Sequence, residues 1–510
     1  MNGVSQARDD RRPQGAAEPL PLHAGQFVLG PDERKVGADW RSIAIRDGLV
    51  LSYCPRLLVT QATDRRGRAW ALLGLPAQSD PGREAPPREL AALATDDVAA
   101  VTESWAGRWL LIGERVIHID VTSSFSCYYL EDGPWASSSI ALLSQLGGRE
   151  EPGSRRYRLV KGDGFHFDPP PRTCYAGIAK LLPTQSLDLE SGRPVAHEIL
   201  ALPETPLPYD EALDRIAACF VSIFQNTARE DRRLNVALTA GYHSRVLLAA
   251  AAAAGVAFET YTQSYPLMLR ADQELPPKLA EAVGVRHTLH QPKAERPDLR
   301  QQVDDHCHGL FMEADRDFYI RQQWAWAKPG DLYLRGRGFE LGECFEWWRL
   351  PPEPSLEAVL AGFGAEQAPA YVKQSIADYL EWTARHPLPG IDWRDRWYLD
   401  IRLGGWGSGS EQALTLTEGT ILPAAGSARF FNLLLQLPLE KRRSRQHLRD
   451  LIDRLYPALN AFPYNPPDGA LLDAARNAKK VATLLRERGL DATAYQVTTA
   501  LRRRLLRYTG

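Results

Sequence analysis

The sequence predicts an α/β protein in which a β-rich sandwich precedes a doubly wound parallel sheet with a mostly helical C-terminal part. Short apolar runs separated by turn residues fill the first half of the chain. A stretch with three prolines in eight residues, 202–209, follows. Beyond it, helical periods alternate with short apolar strands, which is typical of parallel sheets. At 510 residues, the chain is long enough for two hydrophobic cores.

The first half is expected to consist mainly of short strands. Apolar runs on both sides of a Gly-Glu-Arg turn predict a β-hairpin formed by Trp109–Ile112 and Val116–Asp120. Ser186–Leu189 runs into a turn and predicts another strand, while Ser139–Leu146 predicts a short helix.

The proline-rich stretch is the expected linker, because proline fixes φ and removes a backbone donor. We therefore predict a disordered N-terminus at 1–25, a first domain at 26–201 and a second domain at 207–510.

The second half is expected to alternate helices and strands before becoming mostly helical from about Pro292. The predicted elements are helix Tyr209–Thr227, strand Leu234–Leu238, helix Ser244–Ala254, strand Phe258–Tyr261, helix Asp272–Val283, strand His287–His290 and strand Asp331–Leu334. Few clean strands are expected after the last of these.

Composition argues against several classes of function. A net charge of −2 gives no general attraction to nucleic acid or to an anionic membrane. The longest apolar run, Val246–Phe258, has 13 residues and is too short to span a bilayer. Six scattered cysteines and a polar N-terminus indicate reduced thiols and a cytoplasmic protein. His306-Cys307-His308 is expected to be a helix segment rather than a metal site.

The main candidate for chemistry is the segment Thr239–Ser244, called the phosphate loop below. It links a predicted strand to a predicted helix, so backbone N–H groups and the positive helix end would face a phosphate. Thr239 and Ser244 supply hydroxyl groups, and Gly241 allows close approach. The segment lacks the GxxxxGK[ST] pattern of a Walker loop.

This stretch resembles the SGGxDS loop of the N-type ATP pyrophosphatases, most closely the asparagine-synthetase branch. His243 stands where that family has an aspartate. The resemblance implies binding of ATP, with its pyrophosphate on the loop and its adenine beside Leu238 and residues 261–264. The loop residues expected at ATP are Leu238, Thr239, Ala240, Gly241, His243, Ser244 and Arg245.

A second stretch, Leu334–Glu340, resembles the family's GxGxDE loop. Glu340 falls at the aspartate position, Leu341 replaces the glutamate, and Glu343 is a candidate substitute. The resemblance implies that Gly336 and Gly338 contact the nucleotide and that Glu340 has a catalytic role.

Mg²⁺ is the second cofactor that the resemblance implies. Its expected ligands are Glu340 and Asp272, the latter opening a helix in a segment that resembles the family's next motif. Mg²⁺ prefers carboxylate oxygens to imidazole. His243 therefore leaves three alternatives open: altered metal handling, a nucleotide-binding protein without catalysis, or a deliberately inactivated variant.

Either of two cations is expected to neutralise phosphate charge as pyrophosphate leaves. The segment from Leu437 to Pro457 resembles the family's C-terminal helix, which presents a lysine. Arg445 stands at about that position, and Lys441 lies one turn earlier.

The first half resembles the glutaminase domain of the family, which is an Ntn-hydrolase. That chemistry requires an N-terminal cysteine, whereas residue 2 is Asn and no cysteine precedes Cys54. The glutaminase is thus expected to be absent, as in the β-lactam synthetases and lasso-peptide cyclases, which use an amine directly. The implied substrates are a small-molecule or peptide carboxylate and an amine, and a partner biosynthetic enzyme is compatible with that branch.

The implied function is an ATP-dependent amide-forming ligase in specialised metabolite or modified-peptide biosynthesis. Three alternatives remain: an inactive scaffold that binds nucleotide or peptide, a sulfur-inserting enzyme, and an α/β protein unrelated to ATP. The absence of a CxxC pair in the sequence disfavours sulfur insertion. The tryptophan-rich region from Trp324 to Trp406 is expected to supply both core and substrate pocket, and Gly404–Gly409 a lid or a plain flexible loop.

Overall fold

The computed structural model describes residues 23–149, 168–228, 232–265, 268–291, 302–303, 305–307 and 326–468, together with residues 478, 481, 482 and 485. Within these residues the strands form two six-stranded antiparallel sheets and one five-stranded parallel sheet. The predicted fold class is confirmed.

The first two sheets pack face to face as a sandwich. In spatial order, the first sheet contains β10 (Ile178–Lys180), β8 (Tyr128–Leu130), β9 (Ala136–Ser137), β1 (Phe27–Gly30), β3 (Leu49–Tyr53) and β2 (Arg41–Arg46). The second contains β12 (Arg193–Ala196), β11 (Gln185–Asp188), β7 (Val116–Ile119), β6 (Trp105–Gly113), β5 (Ala69–Gln78) and β4 (Val59–Thr63).

Alternating apolar residues explain the sandwich core. Phe27 and Leu51 of one sheet pack with Leu110 and Ile117 of the other, as expected when one face of each strand is buried. The predicted hairpin is confirmed, since Leu110 of β6 pairs with Ile119 of β7.

The third sheet is parallel and contains β15 (His287–His290), β14 (Glu259–Gln263), β13 (Leu234–Ala237), β16 (Leu332–Arg335) and β17 (Thr420–Pro423). Along the chain this spatial order is third, second, first, fourth, fifth. The order reverses between β13 and β16, and sheets of this kind bind ligands outside the carboxyl ends of the strands at that point. The phosphate loop follows β13, and Gly336 follows β16.

The α-helices are α1 (Pro86–Ala92), α2 (Val98–Thr102), α3 (Ile140–Leu146), α4 (Tyr209–Ala228), α5 (Tyr242–Ala253), α6 (Arg270–Ala282), α7 (Leu356–Phe363), α8 (Ala370–Arg385), α9 (Trp393–Trp397), α10 (Ser408–Leu414), α11 (Ala428–Leu435), α12 (Leu439–Ser444) and α13 (Gln446–Leu455). Tyr398–Gly407 is a π-helix, and Phe339–Glu343 and Pro457–Ala461 are 3₁₀-helices. In the part of the chain described, no helix combines the length and apolarity needed to cross a bilayer.

Helix α5 fixes the position of the phosphate loop. Every residue from Ser244 to Ala251 is buried, and the run of alanines lets the helix pack closely between α4 and α13. Because α5 begins directly after Gly241, burial of the helix also fixes the loop.

The glycine-rich segment Gly404–Gly409 is helical and buried except at Trp406, which is half-buried, so the prediction of a lid or flexible loop is wrong. A Cβ on Gly404 would lie 2.8 Å from Pro183 Cδ, and one on Gly407 would lie 2.5 Å from Arg337 Nη2. These glycines therefore allow close packing rather than motion.

Strand β17 was not predicted, and the N-terminal boundary also differs. Residues 23–25, expected to be disordered, form a buried turn. His306 and Cys307 are helical and buried. Residues 1–22, Trp324, His308 and almost all of the chain after 468 lie outside the described residues, and the proposed domain boundaries stay predictions.

Candidate functional site

Internal hydrogen bonds hold the phosphate loop. Thr239 N–H donates to Ser244 Oγ (2.9 Å), and the hydroxyls of these two residues are also 2.9 Å apart. Ala240 N–H donates to Asp272 Oδ1 (2.8 Å), and Gly241 N–H to Thr239 Oγ1 (3.3 Å). Three consecutive backbone donors of the loop are thus occupied by protein groups.

Asp272 supports the loop from α6. Its side chain is buried, and burial raises the pKa of the carboxyl group, an effect that the bond from Ala240 N–H partly offsets. One carboxylate oxygen is already committed to the loop backbone. The structure therefore places this predicted metal ligand as an acceptor for the loop.

Arg245 is fully buried. Its guanidinium donates to the carbonyl oxygens of Phe462 and Pro463 (both 2.8 Å), Ala240 (3.1 Å) and Leu459 (3.3 Å). Burial lowers the pKa of Arg245. This predicted phosphate contact instead ties the loop to the segment of residues 457–468, which we call the 457–468 segment.

Gly336 brings the loop after β16 close to the phosphate loop, and Gly338 brings it close to Ala425. A Cβ on Gly336 would lie 3.1 Å from the Cβ of His243. Gly338 has φ +97°, and a Cβ there would lie 2.6 Å from Ala425 O. Glycine is required at Gly338 both by the left-handed backbone and by the lack of space.

His243 faces two carboxylates across this junction. Its Nε2 is hydrogen-bonded to Glu343 Oε1, and its Nδ1 lies 3.9 Å from Glu340 Oε1. The imidazole stacks on the ring of Phe339 at 5.0 Å. Burial would lower the pKa of His243, but the bond to Glu343 and the charge of Glu340 raise it above its ordinary 6.5.

Glu343 joins His243 to Arg445. Both Nε and Nη2 of Arg445 lie 2.6 Å from Glu343 Oε2, and the Glu343 side chain is only 5% exposed. Burial would raise the pKa of Glu343, but the hydrogen bond from His243 and the charge of Arg445 lower it to about 2. We call His243, Glu343 and Arg445 the ionic triad.

Glu340 accepts a hydrogen bond from the hydroxyl of Tyr398 (3.0 Å). Burial and the charge of Glu340 raise the pKa of Tyr398, which keeps this hydroxyl protonated as a donor. The Glu340 side chain is 30% exposed, more than that of Glu343.

A protein-only metal centre is absent from the residues that the structure describes, since no three His, Cys, Asp or Glu side chains converge on one point. Mg²⁺ commonly takes only one or two carboxylates from the protein and completes its shell with phosphates and water. Glu340 fits that limited requirement better than Asp272 does, because it is more exposed.

Lys441 and Arg445 have different surroundings. Lys441 Nζ lies 3.9 Å from Asp450 and 5.1 Å above the ring of Tyr209. The Tyr209 hydroxyl donates to the same Asp450 (2.6 Å). Of the two predicted cations, the described contacts bring Arg445 to the ionic triad and leave Lys441 beside α4.

Leu238 lies at the carboxyl end of β13, with its side chain in the core. Its N–H donates to Tyr261 O (2.8 Å), and its carbonyl accepts from the Thr262 hydroxyl. Tyr261 is buried against Trp326 and Tyr333. The expected adenine-lining residues are therefore adjacent.

Three further residues near the loop were not expected from the sequence. Tyr464 stacks on Tyr242 with ring centroids 4.2 Å apart, and Arg449 donates to the Tyr242 hydroxyl (3.0 Å). Asn465 N–H donates to Ala240 O (3.3 Å). Neither periodicity nor a motif marks these residues, because their partners are distant in sequence.

Comparisons with known proteins find no matching protein-family model and no matching curated protein. Among solved structures, this chain is similar to a glutamine-dependent NAD⁺ synthetase from Acinetobacter baumannii in complex with adenosine diphosphate. The match covers 66% of this chain and 69% of that chain at 11% sequence identity and a TM-score of 0.18.

Proposed function

We propose that this protein is an ATP-dependent ligase that forms an amide bond. A carboxylate attacks the α-phosphorus of ATP, giving an acyl-adenylate and pyrophosphate. An amine then attacks the acyl carbon, giving the amide and AMP. Two anions must meet in the first step, so the site needs positive charge and oriented donors.

One observation carries this proposal: the phosphate loop and the loop of Gly336 and Gly338 meet at the switch point of the parallel sheet. The contact between Gly336 and His243 brings the two loops together, and Arg445 reaches the same place through Glu343. Ligands of such sheets bind at this point.

The proposed roles follow from exposure and charge. Arg445, whose side chain is 31% exposed, and protonated His243 would stabilise the pyrophosphate, with Glu343 orienting both. Glu340 would hold Mg²⁺ together with phosphate oxygens, and Mg²⁺ would supply further positive charge. We assign Lys441 a lesser part because its described partner is Asp450.

We propose that the substrates are a small-molecule or peptide carboxylate and a free amine, in specialised metabolite or modified-peptide biosynthesis in the cytoplasm. The lack of glutaminase chemistry is supported by the burial of all six cysteines, since a thiol nucleophile must be reachable. A partner biosynthetic enzyme would then present the substrate.

Titration calorimetry with ATP and Mg²⁺, combined with a pyrophosphate-release assay, tests the proposal on the native chain and on His243→Asp. We expect both forms to bind ATP and at least one to release pyrophosphate when a substrate is supplied. Failure of both forms to bind ATP would contradict the ligase function.

A second candidate is a catalytically inactive scaffold that binds nucleotide or peptide. It is favoured by the occupied N–H groups of Thr239, Ala240 and Gly241 and by the pairing of Arg445 with Glu343, which uses charge that a phosphate would need. ATP binding without pyrophosphate release by either form would favour the scaffold.

A further inference from the structure

The 457–468 segment is held against the phosphate loop at several points. Arg245 binds three of its carbonyl groups, those of Leu459, Phe462 and Pro463. The ring of Tyr464 stacks on Tyr242. A segment bound in so many places keeps its side chains at fixed positions relative to the loop.

Asn465 is the residue of this segment that lies beside the loop glycine. Its N–H donates to Ala240 O. A Cβ on Gly241 would lie 3.5 Å from Asn465 Oδ1 and 3.8 Å from Asn465 Nδ2. The carboxamide therefore borders Gly241 together with the hydroxyl of Thr239, whose Oγ1 would lie 3.4 Å from the same Cβ.

The backbone of Asn465 is suited to this position. Its φ is +41°, a left-handed conformation that asparagine tolerates better than most residues. The residue is exposed, and its carboxamide makes no hydrogen bond within the described part of the chain. An exposed amide with both donor hydrogens available can bind an oxyanion.

We propose that Asn465 is a further phosphate-binding residue, whose Nδ2–H groups donate to an oxygen of the nucleotide polyphosphate at Gly241. This inference rests on the proposed binding of ATP. The carboxamide adds a neutral donor beside a loop in which the N–H groups of Thr239, Ala240 and Gly241 are already bonded to protein groups. Arg245 then acts as a positioning residue, since it holds the segment that carries Asn465.

Two substitutions at Asn465 distinguish the contribution of its side chain to phosphate binding from that of its backbone conformation. Asn465→Gly removes the carboxamide and keeps the left-handed conformation, whereas Asn465→Asp keeps the shape and replaces a donor by an anion. Calorimetric titrations with ATP and Mg²⁺, with inorganic pyrophosphate and with uncharged adenosine should distinguish a phosphate contact. We expect affinity for ATP and pyrophosphate to fall about tenfold in Asn465→Gly and about a hundredfold in Asn465→Asp, with adenosine affinity unchanged.

Ala461→Asp is the matched control. Ala461 belongs to the same segment but lines a groove with Arg449 and Asp453 that includes no residue of the phosphate loop. The added charge should leave pyrophosphate affinity near that of the native chain. Equal thermal unfolding midpoints would show that all variants are folded.

Unchanged pyrophosphate affinity in Asn465→Asp would overturn the role of Asn465 while leaving the ligase proposal intact. An equal loss of adenosine and ATP affinity would also overturn it, because a general distortion would then be the cause. No binding of ATP by the native chain would overturn both proposals.

Discussion

Arg245 and Arg445 both lie near the phosphate loop, but their surroundings are opposite. Arg245 is fully buried on four neutral carbonyl groups. Arg445 is 31% exposed and pairs with a carboxylate that also holds His243. An arginine that donates to backbone carbonyl groups holds separate segments of the backbone together. An arginine that is paired with a carboxylate instead determines the local electrostatic potential. We therefore expect the first to control stability and the second to control ligand affinity.

The largest expected effect is that of Arg245→Met. Four carbonyl groups lose a charged donor in a buried place, so the free energy of unfolding should fall by about 3 kcal/mol or more. Urea denaturation measures this loss. Arg445→Met is the matched control and should cost only about 1 kcal/mol, because the Arg445 side chain is 31% exposed and Glu343 keeps its bond to His243. Equal losses would remove the distinction between the two arginines.

Gly338→Ala tests whether the segment that carries Glu343, the partner of Arg445, depends on close packing at Gly338. The added methyl would clash with Ala425 O at 2.6 Å in a backbone with φ +97°. We expect a loss of about 2–3 kcal/mol in unfolding free energy. Gly48→Ala is the control, since Gly48 has φ +67° with nothing within 4 Å, and it should cost about 1 kcal/mol. If Gly338→Ala lowers the unfolding free energy no more than Gly48→Ala does, the close approach of Gly338 to Ala425 O would be excluded.

Glu343→Gln separates charge from structure within the ionic triad. Arg445 loses its anionic partner and becomes available to phosphate, so pyrophosphate affinity should rise about tenfold while stability falls by about 1–2 kcal/mol. The pKa of His243, followed by NMR, should fall.

Glu411→Gln is the control for Glu343→Gln, because Glu411 is also buried and lies 3.3 Å from Arg337. It should lower stability and leave the pKa of His243 unchanged. A fall in pyrophosphate affinity in Glu343→Gln would argue that the carboxylate orients the cations more than it neutralises them.

The smallest expected effect is a dependence of stability on pH that belongs to His243. Its pKa is raised in the folded protein, so the folded state binds the proton more tightly than the unfolded state. The stabilisation is complete below pH 6.5 and is lost as pH rises through the folded pKa. Denaturant midpoints of the native chain and of His243→Asn, measured upward from pH 6.5, should converge. Parallel curves would mean that folding does not change the pKa of His243.

The sequence predicted the elements that carry a clear local pattern of apolar and turn residues. The strand before the phosphate loop and the helix after it were assigned to within about two residues, because apolar periodicity and the small loop residues lie within one short stretch. Strand β17 was missed: its run Thr420–Pro423 ends in proline, which is unusual within a strand, and its pairing with β16 joins segments far apart in the sequence.

Glycines and charged residues show where local sequence misleads. Gly404–Gly409 has the composition of a flexible loop, yet contacts with Pro183 and Arg337 make it a packed helix. Likewise, the sequence marked Glu343 as a candidate carboxylate but did not reveal that it joins His243 to Arg445, which lie 100 and 102 residues from it.

The sequence by itself determined the α/β class and the order of strand, loop and helix around residues 239–244. Only the tertiary structure decided the partner of each charged group. Arg245 donates to the carbonyl oxygen of Phe462, which lies 217 residues away in the sequence. The backbone N–H of Asn465 donates to Ala240 O of the phosphate loop, which is also distant in sequence. The physical reason is that backbone periodicity is read within a few residues, whereas the partner of a side chain is fixed by packing of distant segments.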